Sequence, residues 1–531
     1  MLQTAWGTRG MVTAPHALAA QAGLDILRHG GNAIEAMVAA ASTIAVVYPH
    51  MNSIGGDGFW VILPPTGKPL AISACGAAAA AATIEAYRAQ GMDAIPTRGP
   101  WAANTVAGTV GGWQAALALA QQLGGSQPLA ALLSEAIRYA EEGIPVTPSQ
   151  SVLTARKLGE LQGQPGFGET FLPGGVVPQV GQRFMQPRLA ATLKRLVHEG
   201  LDSFYRGPLA ADIAADLQAM GSPVSAADLA AYRAEVVTPL HLAHESGDLY
   251  NMTLPTQGAV SLAILGIAER AGLAAVEPDS ADHVHLLVEA TKQAFQLRDQ
   301  YVTDPRECPI DPQSLLEDAR LDALAANILK DRAAPWGAGR GPADTVWMGA
   351  IDADGLAVSF IQSIYHEYGS GCVLHRTGIN WQNRGASFSL NPQALLALKP
   401  GKKPFHTLNP AAARLKDGRV MVYGTMGGDG QPQTQAAVFT RHVVFGQPLQ
   451  QAVTAPRWLL GRTWGQTSDT LKLEARFSRK LVDDLRARGH EVELLPDFDE
   501  TVGHAGAVVR HPDGFLEGAT DPRSNGGVAA Y

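Results

Sequence analysis

Apolar and polar residues alternate with two different periods along this chain, helical at first and strand-like towards the end. Leu18, Gln21, Leu24 and Leu27 step round a helix that Pro15 can start and Gly30-Gly31 stops. Asn32, with Glu35 three residues on, has the pattern of a capping box and opens a second helix through Met37 to Val47. That helix is apolar nearly all round, which predicts burial between layers. Phe59-Trp60-Val61-Ile62-Leu63, closed by a Pro-Pro-Thr-Gly turn, reads as a fully buried strand. Positions 110 to 235 read mostly as helices with polar faces, and another helix runs from Ala281 to Asp299. In the last third, a strand, an Asp-Gly turn and a second strand recur around Asp354-Gly355, Asp417-Gly418 and Asp513-Gly514. Each is a hairpin signal. Further helices fall near Phe439 and between Ser478 and Arg488. Helices early and hairpins late predict two packed sheets between helical layers, and disfavour a regular βαβ repeat.

Composition narrows the class without naming the chemistry. At 531 residues, 46% hydrophobic and 17% charged, the chain is globular and forms two domains or one large layered body. A net charge of -8 with no basic block argues against a nucleic-acid partner. Cys75, Cys308 and Cys372 are far apart and odd in number. They form neither a metal-ligand pair nor a disulfide framework, which fits a reducing compartment. The N-terminus lacks an apolar signal core and polar breaks interrupt every long apolar run, so a cytoplasmic protein away from membranes is expected.

The stretch Gly337 to Pro342 reads as an irregular loop that stops at Thr345. There a strand alternation begins, with Val346, Met348 and Ala350 on one side and Trp347, Gly349 and Ile351 on the other. A threonine at such a junction is ordinary while the chain is intact. Cutting the bond before it creates an α-amine with a pKa of roughly 7.7–8, able to take the proton of the hydroxyl beside it. Ser363 lies on the second strand of the hairpin turned by Asp352-Ala353-Asp354-Gly355, where pairing can bring its hydroxyl beside Thr345. Gly427-Gly428, after the strand Val420 to Tyr423, reads as a bare turn whose amides can stabilise an oxyanion, or simply as a tight turn. Arg384, in a short polar loop, has the fork geometry suited to a carboxylate, or is simply solvated as most loop arginines are.

Two rival chemistries are weaker. Gly424 to Gly430 lacks the lysine and hydroxyl of a phosphate loop, and Gly67-Lys68 runs into Pro69. His283-Val284-His285 suggests a metal-dependent amidohydrolase, but residues two apart on a helix point in different directions, and no further ligand set accompanies them.

Taken together these stretches resemble the γ-glutamyltransferase family of N-terminal-nucleophile hydrolases, along essentially the whole chain. The likeness is carried by Ala14-Pro15-His16, Gly30-Gly31-Asn32-Ala33, Gly55-Gly56-Asp57-Gly58, Gly108-Thr109-Val110-Gly111-Gly112, Leu189-Ala190-Ala191-Thr192-Leu193, Phe204-Tyr205-Arg206-Gly207, Arg298-Asp299-Gln300-Tyr301 with Asp304-Pro305, and Asp521-Pro522-Arg523. The resemblance implies an α+β fold, a four-layer αββα sandwich. It also implies self-cleavage between Asp344 and Thr345 into a large fragment, 1–344, and a small fragment, 345–531, which pair as one interleaved heterodimer, itself open to further dimerisation. Thr345 takes the nucleophile's place, Ser363 that of the hydroxyl beside it, and Gly427-Gly428 that of the oxyanion hole. No metal and no cofactor is implied.

Departures from the family pattern bear on the substrate. The segment that carries a carboxylate-binding arginine in γ-glutamyl enzymes reads Ser73-Ala74-Cys75-Gly76-Ala77-Ala78-Ala79. The asparagine, glutamine and aspartate that hold the substrate's α-amino group are replaced by Tyr365, Arg384 and Ser387, and two adjacent serines by His406-Thr407. The site has lost an acid and gained a cation. A small amide bearing a carboxylate and no ammonium is therefore the expected substrate, and the resemblance points to oxamate, a two-carbon case. A γ-glutamyl or glutaryl amide, and an inactive uncleaved scaffold, are the alternatives.

Overall fold

The computed structural model describes residues 3–337, 344–462 and 468–531. Gly341-Pro342, the end of the loop expected before the junction, lies outside the described residues. Asn32 caps the helix Ala33–Val47 through a full capping box with Glu35, and every residue of that helix is buried. The preceding helix begins at Ala17, two residues later than Pro15 suggested, because the His16 ring nitrogen accepts the Leu18 N–H. All three hairpins form: Asp344–Ile351 with Ala357–Tyr365, Ala411–Leu415 with Val420–Thr425, and Ala505–Arg510 with Leu516–Thr520.

The hairpins belong to two seven-stranded sheets. One runs Ala5–Gly7, Leu516–Thr520, Ala505–Arg510, Val420–Thr425, Ala411–Leu415, Gly247–Asn251, Leu240–His244. The other runs Gly527–Ala530, Met11–Ala14, Asp344–Ile351, Ala357–Tyr365, Asp57–Leu63, Leu70–Ala74, Glu235–Val237. Every neighbouring pair in both is antiparallel. Each sheet mixes strands from before and after the Asp344–Thr345 peptide.

Strand parity sorts the core into layers. Val346, Met348 and Ala350 pack with the helix Ala33–Val47, whereas Trp347 and Ile351 join Phe59, Val61 and Ile361 against Ala412, Val422 and Val508 of the opposite sheet. The helices Gly258–Arg270, Ala281–Tyr301 and Gln431–Phe439 close the far side of that opposite sheet. The result is the four-layer αββα sandwich, with strands two-deep in the middle.

Trp347 sets the spacing between the sheets. Its indole N–H donates to Ser359 Oγ at 2.9 Å, and its ring lies against Gly424 and Gly506 of the facing sheet. A Cβ on Gly424 would come within 2.2 Å of Trp347 Cδ1. Gly424→Ala should therefore destabilise the protein by about 1–3 kcal/mol through overpacking, read as a lower urea midpoint. Trp347→Leu in the same background should cost less than the sum of the single changes, since the clash has one partner.

Candidate active site

Thr345 lies where the junction hairpin slips. Pairs run in register from Ile351↔Ala357 to Val346↔Gln362, then jump to Asp344↔Tyr365, so Thr345 faces two residues, Ser363 and Ile364. This is a β-bulge, a device that re-aims a side chain at the end of a ladder. Tyr365 closes it with a positive φ of 82°, rare for a residue with a side chain. By parity Thr345 and Ser363 point between the sheets, and Ser363 pairs with Asp57 on the next strand. Gly56 permits this close approach, since a Cβ there would lie 2.2 Å from the Ser363 carbonyl oxygen.

The opposite sheet brings the glycine pair. Its strand runs to Thr425, two residues further than the pattern suggested, and the chain then turns through Gly427 (φ 115°) and Gly428 (φ 54°) into the helix Gln431–Phe439. Gln257 Nε2 fixes the turn by donating to the carbonyls of Gly428 and Thr407, each at 3.0 Å. Gln431, the first residue of the helix, reaches Thr345: its Nε2 donates to Thr345 Oγ1 at 3.4 Å.

Arg384 lies within the body, on a short 3-10 turn, Arg384–Ser387. Its Nη2 donates to Ser363 Oγ at 3.2 Å, an oxygen that also accepts the Tyr365 N–H at 2.9 Å. The Tyr365 ring stacks 4.1 Å from the guanidinium. Among the described residues, Arg384 Nε and Nη1 have no hydrogen-bond partner. Burial pulls the arginine down to about 10, although the Tyr365 and Asp57 side chains favour its charge. Asp57, also fully buried, accepts at Oδ1 from Gly76 N–H, Gly108 N–H and Gln382 Nε2. Its Oδ2 lies 3.5 Å from His406 Nε2. Burial drives Asp57 up to about 7 against the pull of Arg384, and drives His406 well below the usual imidazole range.

Tyr365, Ser387 and Thr407 line a cavity of about 420 Å³ together with Leu395, Leu396 and Phe405. Asp299 and Asp429 also line it, and both pair with Arg298, at 2.9 and 3.0 Å. Thr345, Arg384 and His406 have no solvent exposure in the intact chain. Thr345, Ser363, Tyr365, Arg384, Ser387, His406, Thr407 and the Gly427-Gly428 turn thus gather at one end of the inter-sheet space. Asp57, Gln257 and Gln431 were not given roles there, though Asp57 stood in a matched motif and Gln431 heads a helix just after the glycine pair. Arg98 is engaged outside this cluster, donating to the carbonyls of Glu367 and Gly369.

The HxH histidines serve different partners. His283 meets Asp279 N–H and Thr440 Oγ1, each at 3.1 Å. His285 Nε2 donates to the Leu329 carbonyl at 2.7 Å, and its Nδ1 faces His490 Nε2 at 2.8 Å. Glu289 lies close to that pair, within 4.8 Å, but its oxygens already hold Lys292 Nζ and Ala334 N–H.

Comparison with known proteins agrees along the whole chain. The gamma-glutamyltranspeptidase family model matches residues 19–531. An oxamate amidohydrolase proenzyme of Klebsiella pneumoniae is 62% identical over 525 residues, covering 99% of both chains. A glutathione hydrolase-like proenzyme of Bacillus subtilis is 39% identical, covering 98% of both. The crystal structure of a cephalosporin acylase from Bacillus halodurans superimposes with a TM-score of 0.91 at 36% identity, covering 100% of this chain and 97% of that one. No helix among the described residues is long and apolar enough to cross a membrane.

The Asp57 shift has a consequence for stability. In the unfolded chain this carboxyl ionises near 3.8, whereas in the fold it keeps its proton to about 7. Between those values the folded state binds more protons, so this group's contribution to stability falls as pH rises and levels off above the upper value. Asp57→Asn should remove that slope. The stability difference between variant and wild type should shift in the variant's favour from pH 4 to pH 7, by up to about 4 kcal/mol, measured by urea unfolding across that range.

Proposed function

We propose that this chain, an amidohydrolase that belongs to the gamma-glutamyltranspeptidase family, cuts itself before Thr345 and then hydrolyses oxamate to oxalate and ammonia. The observation that carries the substrate is Arg384, a fully buried guanidinium with two nitrogens lacking a hydrogen-bond partner among the described residues. Stacking on Tyr365 contributes roughly 0.5–2 kcal/mol, whereas an effective desolvation cost for a buried ion is several kcal/mol. A carboxylate supplies what the ring cannot. Since Arg384 shares Ser363 Oγ with the junction hairpin, that carboxylate must sit close to the amide under attack, as it does in a two-carbon substrate.

In the intact chain the Thr345 hydroxyl attacks the Asp344 carbonyl, shifting the acyl group from nitrogen to oxygen. Water cleaves the ester, leaving the Asp344 carboxylate on the large fragment, 1–344, and a free amine on the small one, 345–531. The two stay paired through the shared sheets as a heterodimer. In the mature protein Thr345 Oγ attacks the amide carbon, and its own amine carries the proton to the departing ammonia. The Gly427 and Gly428 amides hold the oxyanion, a donor position worth about 2.7–4 kcal/mol. Ser363 holds Arg384 beside the nucleophile, while Ser387, His406 and Thr407 shape the wall. Water then releases oxalate. The reaction needs neither metal nor cofactor, and fits a cytoplasmic enzyme.

A second reading, an acylase for a longer glutaryl or γ-glutamyl amide, draws on the cavity volume of about 420 Å³ and its Leu395, Leu396 and Phe405 wall. Ammonia release from oxamate, succinamate and glutaramate separates the two by chain length.

The direct test is Arg384→Gln. It should still yield two fragments on a gel, because the Asp344 peptide needs no charged anchor, whereas Thr345→Ala should remain one chain. Its kcat/KM for oxamate should fall by about a thousandfold, the rate equivalent of 3–5 kcal/mol for an unpaired buried carboxylate. A cleaved variant with near-normal kcat/KM would place the carboxylate elsewhere.

A further inference from the structure

A buried line of side-chain amides ends at the Thr345 hydroxyl, and its direction is fixed by the backbone. Asn409 Nδ2 lies 2.8 Å from the Thr407 carbonyl oxygen. A carbonyl only accepts, so this must be the NH₂ end of Asn409. The same nitrogen lies 3.3 Å from Gln431 Oε1 and gives it the second hydrogen. Gln431 is thereby turned with its oxygen towards Asn409 and its Nε2 towards Thr345 Oγ1, 3.4 Å away. Behind Asn409, Gln435 Nε2 donates to the Asn409 carbonyl at 2.6 Å, and Gln435 Oε1 accepts from Ser261 Oγ and Asn251 Nδ2. All these residues are buried. Gln431 and Gln435 stand one turn apart on the same helix face.

We propose that Gln431 is a catalytic residue that donates a hydrogen bond to the nucleophile oxygen, and that Asn409 is a positioning residue acting through it; the inference rests on Thr345 being the nucleophile. An amide nitrogen cannot accept, so with Gln431 on Oγ1 the hydroxyl proton must point to another acceptor. That leaves it aimed away from Gln431, towards the group that removes it. The donor also steadies charge on Oγ1 at two moments. The first is attack, when the O–H bond breaks and the O–C bond forms. The second is release, when water adds to the ester carbon, the bond from that carbon to Oγ1 breaks, and Oγ1 takes back a proton. A donor of this kind acts at low cost, because the line of amides behind it holds it in place before the reaction begins.

The test compares Gln431→Met, Gln431→Glu and Asn409→Asp with wild type and Thr345→Ala. Readouts are the rate of fragment formation by intact mass, and kcat and KM for oxamate in mature protein. Gln431→Met should slow self-cleavage and lower kcat by about 10- to 100-fold, the scale of a hydrogen bond to a charged group, with KM within about twofold. Asn409→Asp touches no reacting atom, but its carboxylate attracts the Gln431 NH₂ and turns its oxygen to Thr345, so it should show a loss of similar size. The double variant should be no slower than Gln431→Met alone. Gln431→Glu guards against misfolding of the others: its precursor should cleave faster at a pH where the carboxyl is protonated and can donate than where it is ionised. Wild-type rates in Gln431→Met, losses that multiply in the double variant, or a Gln431→Glu precursor indifferent to pH would each overturn the proposal. A Thr345→Ala chain that still cleaves or turns over would instead remove the nucleophile reading beneath it.

Discussion

A guanidinium closed off from water must be balanced by something, and the arrangement around Arg384 follows from that need. One nitrogen takes Ser363 Oγ, the ring of Tyr365 covers one face, and Asp57 contributes charge at longer range. These fall short of full compensation, as the depressed pKa of the arginine records. Asp57 is poorly suited to supply the remainder. Its Oδ1 is held by Gly76, Gly108 and Gln382, which anchor two loops, and burial keeps its proton on to about 7. The site therefore carries a standing deficit of negative charge beside Thr345, the proposed nucleophile, which the proposed anionic substrate would relieve.

The two sheets explain how a cut chain can keep such a site assembled. Thr345, Ser363 and Asp57 stand on three adjacent strands of one sheet, while the glycine turn and Gln431 follow a strand of the other. Both sheets contain strands from either side of the Asp344–Thr345 peptide, so backbone ladders and the Trp347 layer between them hold the halves together. A break at one strand end removes a single peptide link and leaves those ladders intact.

Period and punctuation made most of the fold legible. Capping at Asn32, the buried strand at Phe59–Leu63 and three Asp-Gly hairpins each follow from local rules, and the two faces of the strand after Thr345 separate as its alternation indicates. Within the site, legibility tracked chemical distinctiveness. Thr345, Gly427-Gly428 and Arg384 are unusual in their local setting, whereas Gln431, Asn409 and Gln257 are neutral amides whose roles exist only through partners far along the chain. Ser363 fell within reach because hairpin arithmetic relates it to Thr345. The bulge that sets Thr345 against two residues, and the positive φ of Tyr365, are outcomes of tertiary packing that no spacing rule expresses. Arg384 was placed in a polar loop and is in fact interior; polar loops are usually solvated, and only the surrounding body reverses that.

Tyr365 connects the two reactions proposed for this site. Its backbone pairs with Asp344, the acyl residue of self-cleavage, while its ring stacks on Arg384, the proposed holder of the acyl group in hydrolysis. In the first reaction the chain itself delivers the carbonyl, and covalent attachment supplies proximity that a free substrate must gain by binding. Once that link is broken, nothing in the backbone positions the next acyl group, and a charged anchor has to take over. Placing the anchor against the same tyrosine that oriented the departing peptide lets both carbonyls meet one nucleophile and one glycine turn. The proposed loss of amino-acid recognition would follow from the same economy of space: with Arg384 at the position from which the resemblance would have an ammonium group held, the proposed substrates are acyl groups that end in a carboxylate alone.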